Sequence, residues 1–428
     1  MEGLKAVLRP GTQNNHYQNF IILMMGRLVS NLGTVSFNFA LSLYILDITK
    51  SAAAFTMVIS FGILPGVLVN ILAGVYVDRY DKKRIIVISD ILSGLSVFAF
   101  SIFFKLYSTS IFIFIIYVIV LNTIQAFFNL AINASIPNFV GKEKVPKVNS
   151  AFQALGAIIN ITGPILGAML YKKIGMEMIL LVNAASYILS GISEAFLIYN
   201  KQRETFETVQ SGSYIQNVKE VFAYLDTEKI LKFLLTMAVM LNALLNPLVL
   251  LVLQYITYNV IKISGLQLSL IQSSWAMGSI VGAIFVITRK TVEPILKRFF
   301  VLLEGQAVLI ILWIFPRLPY FSEVSMWTIT VIYILLIFSY GMLNTIQNVP
   351  LISHYQLKIP ESLRGRVFGV LYTALNISTP IGMWVFGIAL QKVDWIYIPV
   401  VSGIVVLIIC ITQSRNSCFK EFVKKLNN

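Results

Sequence analysis

The amino-acid sequence predicts an all-α membrane protein with twelve transmembrane helices arranged as two parallel six-helix halves. Hydrophobic residues occupy 57% of the 428 positions and charged residues only 12%, about half the charged fraction of a soluble domain. A chain this apolar cannot cover itself with polar surface, so it needs lipid as its solvent. Short charged segments separate apolar segments that are each long enough to cross the hydrocarbon core as a helix.

The apolar segments define the predicted helices in order along the chain. The first six helices are 18–46, 52–77, 85–106, 110–134, 148–171 and 176–199. The second six are 229–257, 265–288, 295–315, 325–349, 366–390 and 394–413. We therefore divide the chain into an N-terminal half, 1–199, a linker, 200–228, and a C-terminal half with a basic tail, 229–428.

Two polar segments carry apolar residues at helical spacing. In the linker these residues are Tyr214, Val218, Val221, Phe222 and Leu225. In the tail they are Phe419, Phe422 and Val423, which stand among lysines. Amphipathic helices of this composition lie in a membrane interface with their apolar face toward the acyl chains. We therefore predict that both segments lie on the cytoplasmic surface of the membrane.

The distribution of basic residues predicts the orientation in the membrane. With the N-terminus in the cytoplasm, 25 of the 33 Lys and Arg residues fall in cytoplasmic segments and seven in external loops. The positive-inside rule therefore places both termini in the cytoplasm. Since orientation accounts for the formal net charge of +14, no nucleic-acid partner is expected. Residues 1–17 contain no apolar core of a signal peptide, and we expect a multi-pass monomer in the lipid bilayer of a bacterial plasma membrane.

Two short segments of the N-terminal half recur in the C-terminal half. Asn122-Thr-Ile-Gln125 recurs as Asn344-Thr-Ile-Gln347, and Asn160-Ile-Thr-Gly-Pro164 recurs as Asn376-Ile-Ser-Thr-Pro380. The two matches keep their order, and their offsets of 222 and 216 residues are nearly equal. Six helices return the chain to its starting side, so the copies have the same orientation. Parallel six-helix repeats around a central path are an architecture of transporters.

The segment between the second and third predicted helices reads Gly74-Val-Tyr-Val-Asp78-Arg79-Tyr-Asp81-Lys82-Lys83-Arg84. A glycine near the end of a membrane helix lets a neighbouring helix approach closely. An acid at Asp78 can accept hydrogen bonds at the N-terminus of another helix, and the basic residues favour the anionic cytoplasmic surface. An ordinary positive-inside loop explains the lysines, but it does not explain the spacing of the glycine and the acid.

In this segment the sequence resembles the major facilitator superfamily, whose signature here is Gly-x-Leu-Ala-Asp-Arg-x-Gly-Arg-Arg/Lys. The matching residues are Gly74, Asp78, Arg79, Lys82 and Lys83, whereas Asp81 replaces the second glycine. This form resembles the branch that contains macrolide-efflux and siderophore-export permeases. The resemblance implies a cytoplasmic gate between the second and eleventh helices, in which Asp78 and Arg79 take part.

The fifth predicted helix contains a second motif, made of Gly156, Gly163, Pro164 and Gly167. Pro164 frees a backbone carbonyl and kinks the helix, and glycines four residues apart let a neighbour pack against bare backbone. The core Gly-Pro-x-x-Gly resembles the antiporter motif of exporters in this superfamily, which implies export. Helix packing alone is the alternative interpretation.

Polar residues within the predicted helices are the candidates for ion coupling or substrate contact, because intramembrane charges are costly and usually functional. The candidates are Arg27, Asp90, Glu304, Asn122, Gln125 and Asn242. Glu304 is the deepest acid in the chain, and a structural pairing is its alternative role. Asp90 and Glu194 could instead face the aqueous side. Asn122 and Gln125 stand in the fourth helix, where related exporters place an arginine linked to proton coupling.

The leading hypothesis is a secondary transporter that exports an amphiphilic compound, such as a macrolide-like drug, a peptide antibiotic or a siderophore. Protons, or sodium ions, would drive it through alternating access. The sequence contains no nucleotide-binding loop and no Cys/His cluster, so we expect no cofactor, no metal and no enzymatic activity. A nutrient importer on the same fold and a non-transporting sensor or immunity protein are the alternatives.

Overall fold

The computed structural model describes residues 10–72, 77, 80–198, 214–321 and 323–426. Every regular element within these residues is a helix. Eleven helical segments are long and apolar enough to cross a membrane. The structure therefore confirms the prediction of an all-α membrane protein.

The first half of the described chain contains six membrane-spanning helices. The first four are α1 Pro10–Thr49, α2 Ala52–Leu72, α3 Lys82–Tyr107 and α4 Ile111–Val140. The helical segment Val145–Ala195 is interrupted at Gly175, whose φ of 75° and ψ of 171° lie in a region that favours glycine. This segment comprises two of the predicted helices, α5 (145–174) and α6 (176–195), so that the eleven segments provide twelve crossings.

The remaining helices of eight or more residues lie in the linker and in the C-terminal half. They are α7 Tyr214–Thr227, α8 Lys229–Val260, α9 Gly265–Ile287, α10 Phe299–Ile311, α11 Met326–Lys358, α12 Glu361–Lys392, α13 Tyr397–Ser414 and α14 Ser417–Lys425. Within α8, two π-helical turns, Leu248–Val252 and Ile256–Val260, follow Pro247. Proline lacks a backbone N–H and cannot complete the α-helical hydrogen-bond ladder, which is a common cause of such local rearrangement.

The chain divides into two compact units that do not follow the chain order strictly. The first unit comprises Met1–Leu41 and Phe61–Val209, and the second comprises Ser42–Ser60 and Gln210–Asn428. Within the second unit, the indole N–H of Trp384 donates to Ser60 Oγ at 2.7 Å, and Tyr258 donates to Asp47 Oδ1 at 3.0 Å. These bonds connect residues 42–60 to α8 and α12. The division into two sequence halves remains a prediction from the internal repeat.

Close backbone contact at glycine organises the packing within each unit. In the first unit, a Cβ on Gly167 would collide with the carbonyl oxygen of Ser36, so α5 lies directly against α1. In the second unit, a Cβ on Gly382 would collide with the carbonyl oxygen of Ala243, so α12 lies directly against α8. Both glycines follow the prolines of the repeated Asn-to-Pro segment, and the repeat in sequence is therefore also a repeat of packing. Gly156 has open space beside it and contributes nothing to this contact.

Apolar residues of both amphipathic helices pack against protein, and the location of these helices at the cytoplasmic membrane face remains a prediction. In α14, Phe422 is 2% exposed, and the ring of Phe419 lies 4.6 Å from that of Phe300 in α10. In α7, Val221 and Leu225 are buried, whereas Phe222 remains exposed. The apolar residues at helical spacing predicted the helices correctly, but periodicity cannot tell a protein surface from a lipid surface.

Substitution of Gly167 by alanine should destabilise the protein, because the new methyl group would meet the backbone of α1. Overpacking of this kind costs about 1–3 kcal/mol. Thermal unfolding of the detergent-purified protein, followed by tryptophan fluorescence, would measure the loss.

The matched control is Gly156→Ala in the same helix. Its methyl group meets nothing within 4 Å, and alanine has the higher helix propensity, so the unfolding temperature should stay the same or rise. Equal losses in the two variants would contradict the packing assignment.

Candidate functional site

A cavity of about 430 Å³ lies among helices α8 to α12 of the second unit. Its polar lining consists mainly of carboxamides, Asn242, Asn246, Gln306, Asn344, Gln347 and Asn348. Its aromatic lining consists of Trp275, Phe299, Tyr340, Tyr355, Phe368 and Tyr372. None of the lining residues that the structure describes carries a formal charge. This combination suits an uncharged ligand with both apolar faces and hydrogen-bonding groups.

Hydrogen bonds across the contact between α8 and α12 hold the amides of α8 in place. Asn242 donates through Nδ2 to the carbonyl oxygen of Leu375 at 2.9 Å and to Thr379 Oγ1 at 2.9 Å. Its Oδ1 accepts from Nδ2 of Asn246 at 3.2 Å, and Asn246 is exposed to the cavity. Asn242 therefore lines the cavity and also bonds a neighbouring helix.

A second amide pair connects α10 and α11 in the cavity wall. Gln306 Nε2 donates to Gln347 Oε1 at 2.5 Å, and the two side chains are 0% and 5% exposed. Gln306 Oε1 is buried without a hydrogen-bond partner among the described residues. Gln347 belongs to the second copy of the Asn-Thr-Ile-Gln repeat, so the repeat supplies part of the cavity wall.

The corresponding glutamine of the first unit meets acidic and hydroxyl groups instead. Gln125 Nε2 donates to Ser93 Oγ at 2.8 Å and lies 3.5 Å from Asp90 Oδ1. Within α6, Ser190 Oγ lies 3.5 Å from Glu194 Oε1, one turn further along the helix. Asp90 and Glu194 are only 1% and 2% exposed. The alternative that these acids face water is therefore wrong, because the helices enclose them.

Three other candidates have local contacts. The guanidinium of Arg27 lies 4.4 Å from the ring centroid of Phe152 in α5, as a cation–π pair. Glu304 is half-buried on the side of α10 toward Cys410 of α13, and it does not belong to the cavity lining. Asn122 donates to the carbonyl oxygen of Val118 in its own helix.

The predicted gate motif is described only in part. Gly74, Asp78 and Arg79 lie outside the described residues, so their role in a gate remains a prediction. Asp81 caps the N-terminus of α3, where its Oδ1 accepts from the backbone N–H of Arg84 at 3.2 Å. Lys82 and Lys83 are the first residues of the same helix.

The sequence analysis missed Glu194 and most of the cavity amides as site residues. Glu194, Ser190, Tyr187 and Asn183 recur at intervals of three or four and form one polar stripe of α6. Asn344, Gln347 and Asn348 share one face of α11 by the same spacing. A search for polar stripes on otherwise apolar helices would have found both sets.

The comparisons with known proteins agree with this architecture. The family profile described as Major Facilitator Superfamily matches residues 23–383. Macrolide efflux protein A of Streptococcus pyogenes is 24% identical over 407 residues, covering 93% of this chain and 95% of the relative. Multidrug efflux pump Tap of Mycolicibacterium fortuitum is 22% identical over 375 residues, covering 86% and 88%. The crystal structure of nucleoside transporter NupG superposes with a TM-score of 0.70 at 14% identity, over 94% of this chain and 100% of that one.

The amide pair between α10 and α11 predicts a strong coupling between two substitutions. Gln306→Leu or Gln347→Leu alone leaves one buried carboxamide unpaired and should cost about 1–3 kcal/mol. The double substitution removes both polar groups and should recover most of that loss, because two apolar side chains of similar size then face each other. Thermal unfolding of all four proteins would provide the cycle. Additive losses would contradict the pairing.

Proposed function

This chain belongs to the major facilitator superfamily, and we propose that it is a proton-driven exporter of an uncharged, amphiphilic compound with macrolide-like chemistry. The chain is a multi-pass membrane transporter with relatives named as efflux pumps. The observation that carries the finer proposal is the cavity of the second unit, which combines carboxamides and aromatic rings without a formal charge.

The cavity chemistry supports a neutral, oxygen-rich substrate. Carboxamides both donate and accept, so they pair with the hydroxyl, ketone and ester groups of such a compound. Aromatic rings pack against its apolar faces. A charged substrate would lose its hydration without gaining a counter-charge from this lining, which is costly. The cavity volume of about 430 Å³ falls in the usual range of small-molecule sites.

Proton exchange supplies enough energy for this export. One proton that moves inward releases about 2.3 kcal/mol per 100 mV of membrane potential. That energy supports an outward concentration ratio of about 50-fold per proton, since about 1.4 kcal/mol corresponds to a factor of ten. With both termini in the cytoplasm, as the basic residues predict, the direction of export is away from the side that carries the linker and the tail.

The direction of transport distinguishes this proposal from a nutrient importer with a similar cavity. In inside-out vesicles with an acidic interior, labelled erythronolide B, a macrolide lactone without the basic amino sugar of erythromycin, should accumulate, and a protonophore should abolish the accumulation. Vesicles that lack the protein serve as the control. If the protein instead accelerated entry of erythronolide B into intact cells, export would be wrong.

Substitutions on the cavity face of α11 should weaken binding. Each lost hydrogen bond is worth about 0.5–1.5 kcal/mol, so Asn344→Leu and Asn348→Leu should each raise the Kd for erythronolide B by about two- to tenfold. Quenching of tryptophan fluorescence would report binding because Trp275 lines the cavity. Asn376→Leu is the matched control, since Asn376 does not belong to the lining. An equal effect of the control would contradict this site.

A further inference from the structure

We propose that Asp90 and Glu194 form a shared proton-binding site of the first unit, distinct from the substrate cavity of the second. This inference deepens the proposed proton-driven export and rests on it for its role in transport. The existence of the site rests only on the contacts of α1, α3, α4 and α6, and it can be tested without transport.

Glycines bring the two acids into the same packed interface. A Cβ on Gly94 of α3 would lie 2.9 Å from the carbonyl oxygen of Ala184 in α6. A Cβ on Gly191 of α6 would lie 3.3 Å from the Cβ of Asp90. Since Asp90 precedes Gly94 by one turn and Glu194 follows Gly191 by three residues, both carboxyl groups lie on the faces that meet.

The described surroundings of the pair provide neutral contacts. Ser190 Oγ lies 3.5 Å from Glu194 Oε1. Gln125 Nε2 lies 3.5 Å from Asp90 Oδ1. The other oxygens, Asp90 Oδ2 and Glu194 Oε2, are buried without a hydrogen-bond partner among the described residues. No ion pair forms at either acid within this part of the chain. An ionised carboxylate would need donors at these buried oxygens, so their absence disfavours two charged groups here.

The ionisable groups on the neighbouring helices do not provide a counter-charge for Asp90 and Glu194. On α1, the guanidinium of Arg27 stacks on Phe152 of α5. On α6, the hydroxyl of Tyr187 pairs with Thr34 Oγ1 at 2.8 Å. The sequence of α4 contains no acid, lysine, arginine or histidine. Two neighbouring carboxyl groups in such a dry region do not both ionise, so the pair titrates as a unit that retains a proton.

The internal repeat indicates that the packing does not require an acid here. Gln125 of the first copy meets Asp90, whereas Gln347 of the second copy meets Gln306. A neutral carboxamide therefore fills the corresponding place between α10 and α11. Asp90 places an ionisable carboxyl group in a contact that an amide can maintain. Because ionisable groups within the membrane are costly, this replacement points to a functional role.

The location suits a proton that is released to the cytoplasm. Glu194 is followed by Ala195, the last residue of α6, and this end faces the cytoplasm in the predicted topology. In the exchange cycle, the pair takes up a proton from outside, holds it between the two carboxyl groups and loses it at this end. Loss of the proton leaves a negative charge that needs water, so release requires the contact between α3 and α6 to become hydrated.

Infrared difference spectra of the purified full-length protein test the site itself. In the wild type, raising the pH should remove a protonated-carboxyl band. Asp90→Asn and Glu194→Gln should each shift the pH at which the band disappears, because the remaining buried carboxyl group still binds a proton, and the double variant should abolish the change. Glu304→Gln and Glu177→Gln should retain it. Asp90 and Glu194 variant spectra with the same pH dependence as the wild-type spectra would overturn the proposal. A band that responds to sodium ions rather than to protons would also overturn it.

Transport of erythronolide B in proteoliposomes tests the role of the site. Accumulation driven by a pH gradient should fall by about tenfold or more in Asp90→Asn, whereas exchange between erythronolide B pools, which needs no net proton movement, should persist. Asp90→Gln reproduces the amide of the second unit and provides a variant that should fold if Asp90→Asn does not.

The two proposals fail in different ways. If the wild type shows no proton-driven transport of erythronolide B but the infrared change depends on both acids, the proposed function is wrong and the proton site stands. If the wild type couples transport to protons and the variants keep full gradient-driven accumulation, the site assignment is overturned.

Discussion

Direct contact between helix backbones is the constraint on which the rest of the structure depends. Helices in lipid gain little from hydrophobic burial against each other, so they are held by close packing and by buried hydrogen bonds. Gly167 lets α5 lie on α1, and Gly382 lets α12 lie on α8. The same closeness excludes water from the interfaces, so any polar side chain there must find a protein partner or remain neutral. The positions of Asn242, Gln306, Asp90 and Glu194 are consequences of this packing.

The two copies of the repeat share a framework and differ in the chemistry that it carries. A glutamine of the Asn-Thr-Ile-Gln segment faces the preceding membrane helix in both units. In the second unit its partner is Gln306, beside a cavity lined by amides and aromatic rings. In the first unit its partners are Ser93 and Asp90. Duplication supplies the same contact twice, and a change from amide to carboxyl group is enough to assign an ionisable function to one copy.

Separation of the neutral cavity from the buried acids has a physical advantage for an exchanger. An uncharged substrate neither attracts nor repels a nearby proton strongly. Competition between substrate and proton for one carboxyl group would therefore couple substrate export to proton entry poorly. Coupling through packed helices does not require the substrate to touch the carboxyl group, because protonation changes whether the α3–α6 contact can exclude water. The proposed exporter would then be driven by the hydration of Asp90 and Glu194 rather than by their contact with substrate.

The sequence by itself determined the membrane class, the number of crossings, the family and the repeated segments. These features depend on apolar length, on the fixed spacing of Gly74 to Lys83 and on local identity, all of which are readable along the chain. It also identified Asp90, Gln125 and Asn242 as candidates, but it could not tell a buried acid from one that faces water. Only the tertiary structure decided that Glu194 joins Asp90, that Glu304 lies outside the cavity lining and that the tail helix packs on protein. The physical reason is that the environment of a polar side chain depends on which neighbouring helix covers it, and helical spacing does not specify that neighbour.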